Sequence, residues 1–257
     1  MAVERLRQDI RLREETDYIM PVWLPFIPYI LALLGFAFIV AGAFYSEESV
    51  TMPPKAIPYG YRVNPYTSSG LLFFGVSIAV IGSLINLYVI YKWIDRRNRH
   101  FKRVRILYRD LIGYLESKGK TKQAEAIRSI LRQMEVEEDE KSPILWVVLV
   151  LLVGILVFYV LHFLNKDFHR HDSREKHIWE DVRGAFEEMG EPLVHRKISY
   201  IPDRSTLVYL VLTILTGGLF GLYWIYVTTK DPNEHFREHV MFEDELLEKI
   251  EKIESSF

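Results

Sequence analysis

Cysteine is absent from all 257 residues, which excludes disulfides, thiolate metal ligands and cysteine nucleophiles. Side-chain amides are scarce, with five Asn and three Gln among plentiful Glu, Lys and Arg, a bias that leans towards a thermophilic prokaryote. A net charge of −2 gives no cationic excess of the kind that binds nucleic acid. No glycine-rich phosphate loop, serine nucleophile elbow or apolar carboxylate pair occurs, so nucleotide-driven and hydrolytic chemistry have no visible machinery. The expectation is a protein that is not an enzyme and carries no cofactor.

The most informative absence is local. Asp, Glu, Lys and Arg are missing from four whole stretches, residues 20–46, 63–91, 142–165 and 205–229. Each is long enough to cross a hydrocarbon core about 30 Å thick as a helix rising 1.5 Å per residue. The mean hydropathy of +0.05 averages these stretches with very charged connectors. The expected fold is all-α: a polytopic membrane protein with four transmembrane helices and amphipathic extramembrane helices, its partner being membrane lipid. The charged N-terminus reads as a cytoplasmic lead-in (1–19) to an uncleaved first span.

Lys and Arg set the orientation. Eight of them, from Lys92 to Arg109, follow the second stretch directly and hold that end in the cytoplasm of a cell-membrane protein. Four spans put both termini inside, with 22 cations inside and 10 outside. The 165–204 connector sits uneasily outside, since it holds eight cations and four histidines; a third stretch that dips and returns is the alternative. The first outer loop, 46–67, carries four prolines with Tyr45, Tyr59, Tyr61 and Tyr66, which suit the membrane interface; a ligand lid is the rival reading.

The connectors carry helical stripes at three-to-four spacing. These are Val104, Leu107, Leu111 and Leu115; Ala124, Ile127, Leu131 and Met134; Ile178, Val182, Ala185, Phe186 and Met189; and Phe242, Leu246, Ile250 and Ile253. They fit either a membrane surface or one another.

Shifting the chain by 135 residues lays 82–101 over 217–236 with nine identities in twenty positions. Besides Gly82/Gly217, these include Tyr88/Tyr223, Tyr91/Tyr226, Asn98/Asn233, His100/His235 and Phe101/Phe236. The chain therefore reads as a tandem duplication of a two-span unit, 20–141 and 142–257, both copies facing the same way. Gly75, Ala79 and Ser83 on the second stretch and Gly217 and Gly221 on the fourth are small enough for close helix packing, which predicts that these two pair centrally.

The segment from about Arg204 to Phe236, above all GLYWIYVTTKDPNEH, resembles a family of small, uncharacterised bacterial and archaeal membrane proteins. They share a Gly-x-Tyr-Trp-x-Tyr helix end (here Gly221, Tyr223, Trp224, Tyr226) followed by Lys-Asp-x-Asn (Lys230, Asp231, Asn233). The first half departs from the pattern at Asn86 and Val89. As a domain of unknown function, the family implies a membrane module and no activity.

Within the stretches His162 is the sole ionisable side chain besides tyrosines. His235 and His239, four apart on a helix, have metal-ligand spacing, and with Glu238 they spell the inverted zinc-peptidase pattern H-x-x-E-H. His169, His171 and His177 are a second candidate set. The bland reading is ordinary interfacial histidines and no metal. The leading functional expectation is a membrane protein acting as an interaction, assembly or regulatory module through its cytoplasmic helices, as a homo-oligomer or with a membrane-protein partner. The rivals are a small oligomeric channel lined by Ser77, Ser83, Asn86, Thr213 and Thr216, and a metal-dependent membrane enzyme.

Overall fold

A computed structural model describes residues 2–51, 65–195 and 200–255. The reading of the proline- and tyrosine-rich loop at 46–67 falls outside the described side chains. Every regular element among the described residues is helical, as expected. They fall into two compact units, 23–89 and 1–22 with 90–257, which do not follow the two halves of the sequence repeat.

The 23–89 unit holds α3 (Ile27–Thr51) and the first half of α4 (Pro65–Ser117). These two helices are long and apolar enough to cross a membrane. They pack antiparallel through glycine. A Cβ added to Gly75 would sit 2.7 Å from the Gly35 carbonyl oxygen, and one on Gly42 would sit 2.8 Å from Leu72. Close backbone approach gives the van der Waals contact that hydrophobicity cannot supply in lipid. Gly75 and Ala79 thus meet the first stretch, where pairing with the fourth was expected; Ser83 bonds back to the Ala79 carbonyl of its own helix. Leu33, Phe36 and Phe73 face outward, as lipid-facing residues would.

In the second unit, α1 (Ala2–Arg11), α2 (Arg13–Thr16), the polar half of α4, α5 (Thr121–Glu137), α7 (Val157–Glu188) and α9 (Leu219–Ser255) form a bundle. All four amphipathic stripes converge on one core, joined by Leu6 and Ile10 of α1, which decides for mutual packing over a membrane surface. Gly119, at φ +73°, ends α4 where Lys118-Gly119-Lys120 predicts it, and Lys120 N–H donates to the Leu115 carbonyl. Pro232 lies inside α9 and withholds the N–H that would bond the Thr228 carbonyl. The buried Arg96 guanidinium donates there instead (3.2 Å) and to Asn233 Oδ1 (2.8 Å). Burial lowers the Arg96 pKa to about 9.

The third and fourth apolar stretches are not single rods. α6 (Pro143–Leu152) and α8 (Thr206–Leu215) have ten residues each, about 15 Å, half a hydrocarbon core. Trp146 of α6 stacks on Tyr159 of α7 and meets Phe163, both at 5.2 Å between ring centroids. In one continuous helix residues 146 and 163 would be about 26 Å apart, so the chain has turned back at 153–156. Tyr209 of α8 likewise meets Phe220, Tyr223 and Trp224 of α9. The expectation of four spans is met by two long helices and two folded-back hairpins. α6 is also far shorter than α3, its counterpart in the proposed duplication.

One local strain is testable. Asp9 is buried on α1, its Oδ2 without a partner, and its pKa is raised to about 6 by burial and then by Asp110. A carboxyl whose folded pKa exceeds its unfolded value leaves stability intact below about pH 4 and drains it as pH rises to about 6. Asp9→Asn is expected to raise stability by about 1–2 kcal/mol at pH 7 and to change nothing near pH 4, read as thermal midpoints at both pH values.

Candidate metal centre

Three long helices of the bundle point five side chains at one buried spot. His100 comes from α4, His171 and Glu175 from α7, and His235 and His239 from α9. The last two pairs are each four residues apart, hence one above the other on a helix face. One ligand atom from each of the five lies within 4.8 Å of all the others. All five side chains are essentially inaccessible to solvent.

The rings share one orientation. Each Nδ1 faces a carboxylate outside the cluster: His100 faces Asp17 at 3.0 Å, His171 faces Glu138 at 3.1 Å, His235 faces Asp172 at 2.9 Å and His239 faces Glu243 at 2.9 Å. Such a carboxylate accepts a hydrogen bond from Nδ1–H and leaves the Nε2 lone pair free to ligate, the outer-shell arrangement of metal-bound histidines. The Nε2 atoms then face inward. Those of His100 and His235 are 3.1 Å apart. Those of His235 and His239 lie 3.2 and 2.9 Å from Glu175 Oε2, and that of His171 lies 3.3 Å from Oε1. Two nitrogen lone pairs at 3.1 Å repel unless an electrophile joins them. Ligands sharing one ion at about 2.1 Å stand at most about 4.2 Å apart, so a contraction of a few tenths of an ångström closes the set.

The surroundings attract positive charge. Burial alone would lower His171, but Glu175 and Glu138 outweigh it and bring its pKa to about 9. Burial would likewise raise Asp17, yet His100 and Arg103 hold it well below the carboxylate range. Glu175 is fixed further by the Tyr108 hydroxyl (2.8 Å), which accepts in turn from the Trp179 indole N–H. Phe101 stacks on His171 at 4.0 Å and Phe236 lies 4.5 Å from His100, so the repeat-matched pairs His100/His235 and Phe101/Phe236 meet at the centre.

The repeat-matched asparagines act as reciprocal clamps. Asn233 grips Met20 by both backbone groups ahead of α3, and Asn98 grips Lys141 in the same way ahead of α6. Tyr88 and Tyr223 are exposed, while Tyr91 and Tyr226 are half-buried.

Of the candidate ligands, His235 and His239 lie in the cluster, but Glu238 turns away to His195 (3.0 Å). The carboxylate the zinc-peptidase pattern needs as a base is therefore elsewhere. Of the second set only His171 belongs here; His169 contacts the Ile201 carbonyl and His177 is exposed beside Glu180. His162 contacts Thr206. The bland reading of interfacial histidines is corrected for the four buried ones. Glu175 and the four outer carboxylates were not singled out from sequence, although His171/Glu175 and His239/Glu243 repeat the four-residue spacing of His235/His239. The Ser77, Thr213 and Thr216 hydroxyls each donate to the carbonyl four residues earlier.

Fold and site define an all-helical protein with two candidate membrane spans and, in its bundle, a buried histidine–carboxylate cluster of metal-site design. Residues 204–245 match the family model of a domain of unknown function, DUF4234, which takes in α8 and the part of α9 that carries His235 and His239. No curated protein and no solved structure matches the chain.

Proposed function

We propose that the protein is a membrane-anchored, non-enzymatic metalloprotein whose cytoplasmic bundle is fastened by one resident first-row transition-metal ion. In this reading α3 and α4 cross the cell membrane, and the cations that follow the second span keep the bundle on the cytoplasmic side. The observation that carries the reading is the convergence of four Nε2 atoms and the Glu175 carboxylate, each ring backed by its own carboxylate.

The donor chemistry narrows the ion. Four imidazoles with one carboxylate suit Zn²⁺, Fe²⁺, Co²⁺, Ni²⁺ or Cu²⁺, whereas Ca²⁺ and Mg²⁺ demand mostly oxygen. With Glu175 bidentate, the five side chains would supply six donors and leave no coordination position for substrate or water, unlike a hydrolytic centre, which keeps one open. A saturated ion instead links α4, α7 and α9, and its binding free energy becomes folding free energy. The helices beyond the membrane then form an interaction or regulatory module whose order depends on the metal.

Full-length protein purified in mild detergent is expected to carry close to one first-row transition ion per chain by elemental analysis. Chelation should lower its thermal midpoint, and re-addition of Fe²⁺, Co²⁺ or Zn²⁺ should restore it. A folded, metal-free preparation that takes up none of these ions would sink the proposal.

A further inference from the structure

The two folded-back hairpins raise a question that the metal centre does not touch: what covers them. Their tips are bare and apolar. Leu152 is 73% exposed, Ile155 71%, Leu215 75% and Leu219 71%, and no charged residue occurs between 142 and 165 or between 205 and 229. An exposed apolar surface of this kind marks a contact with lipid or with another protein.

Three observations favour lipid. The first is length: each descending helix covers about 15 Å, the depth of one leaflet's hydrocarbon. The second is the backbone. A turn among acyl chains has no water to bond, so its polar groups must be satisfied internally. At the first tip Val153 N–H donates to the Leu149 carbonyl and Leu156 N–H to the Val153 carbonyl. At the second, Gly217 and Gly218, at φ +60° and +98°, make a tight reversal open to glycine. Gly218 N–H donates to the Thr213 carbonyl, and the Thr216 hydroxyl donates to the Leu212 carbonyl while accepting from Phe220 N–H. Ser142 and Ser205 cap the helices at their wet ends, with Trp146 and Tyr209 one turn further in. The third is charge. If both hairpins return to the side they left, 30 of the 32 Lys and Arg lie on the bundle side and just Lys55 and Arg62 lie across the membrane. Full crossing by the third and fourth stretches would carry the eight cations of the 165–204 connector across as well.

We infer that the α6–α7 and α8–α9 turns are re-entrant hairpins that enter the bundle-side leaflet to about the mid-plane and return. The hairpins are tied together, since Phe158 stacks on Trp224 and the Thr228 hydroxyl donates to Asn165. They therefore enter as one wedge, in addition to the two spans.

The cysteine-free chain makes the test clean. Single-cysteine variants Ile155→Cys, Leu215→Cys, Glu180→Cys, Glu248→Cys and Lys55→Cys would be placed in vesicles and treated with an impermeant maleimide from either side. Cysteine at 180 and 248 is expected to react from one face and cysteine at 55 from the other. Bimane at 155 or 215 is expected to be shielded and to be quenched most by lipids brominated near the chain ends. Labelling of position 180 from the face of position 55 would establish full crossing and overturn the inference. So would free labelling of the tips by the maleimide, or 155–155 and 215–215 crosslinks that persist on dilution with lipid, which would make the wedge a contact between copies. None of these readouts depends on metal.

Discussion

Glu175→Gln is expected to weaken transition-metal binding about a hundredfold or more while the bundle keeps its helicity. The reasoning starts from position. Glu175 lies across from three of the four imidazoles, with Oε2 shared between His235 and His239 and Oε1 beside His171. It is also the one anionic donor in a set of otherwise neutral ligands. Glutamine preserves the shape and can still accept from Tyr108, so packing changes little. It removes the charge that offsets the ion in a site with no water to replace it. A graded arm lies one layer out. Asp172→Asn removes the carboxylate behind His235 Nδ1 without touching the inward atoms, and loss of such an outer partner costs about 10–100-fold in affinity. Glu238→Gln is the control: it belongs to the H-x-x-E-H pattern but faces His195, so affinity should stay within about threefold. Cobalt titration followed by visible absorption, with circular dichroism on the same samples, reads all three. Equal affinity in Glu175→Gln and the parent would remove Glu175 from the centre. A loss as large in Glu238→Gln as in Glu175→Gln would restore the peptidase-like reading.

Much of this was legible in the chain, in proportion to how local the cause is. The amphipathic stripes of α4, α5, α7 and α9 are written every three or four residues, and each of them reached the common core. The stop at Gly119 needed one residue. The apolar stretches were equally plain, but composition cannot tell 24 residues that cross from 24 that fold back. That difference lies in Val153-Gly154 and in Thr216-Gly217-Gly218, where a few turn residues replace helix. The site is harder because its members come from three helices far apart in sequence. His235 and His239 show as a pair, and His100 is flagged by its match to His235. Glu175 carries no mark beyond its distance from His171, and a glutamate four residues after a histidine is ordinary on any charged helix. Small residues such as Gly75 allow close approach but do not name their partner; in the structure Gly35 is that partner.

Arg103→Met is expected to destabilise the metal-free bundle by about 3–5 kcal/mol, lowering its thermal midpoint by roughly 10 °C. The Arg103 guanidinium is buried and donates at 2.8 Å to both Asp17 and Glu243, two carboxylates nearly closed to solvent. Burial opposes its charge, but Glu243 and Asp17 outweigh that and raise its pKa above the usual value. Methionine fills a similar volume, so the cost does not come from a cavity. It comes from stranding two buried anions, one behind His100 and one behind His239. This cause makes a further demand that a packing defect would not. Adding Asp17→Asn and Glu243→Gln to Arg103→Met removes the stranded charges and should recover at least half of the lost stability, although each change alone touches a different helix or loop. The same triple variant should bind metal poorly, because both outer carboxylates have lost their charge. Stability and metal affinity would then move in opposite directions within one protein. Chemical or thermal unfolding in detergent after chelation, compared for the parent, the single and the triple variant, measures the first quantity. If the triple variant were no more stable than Arg103→Met, the buried ion pairs would not be what Arg103 contributes to the bundle.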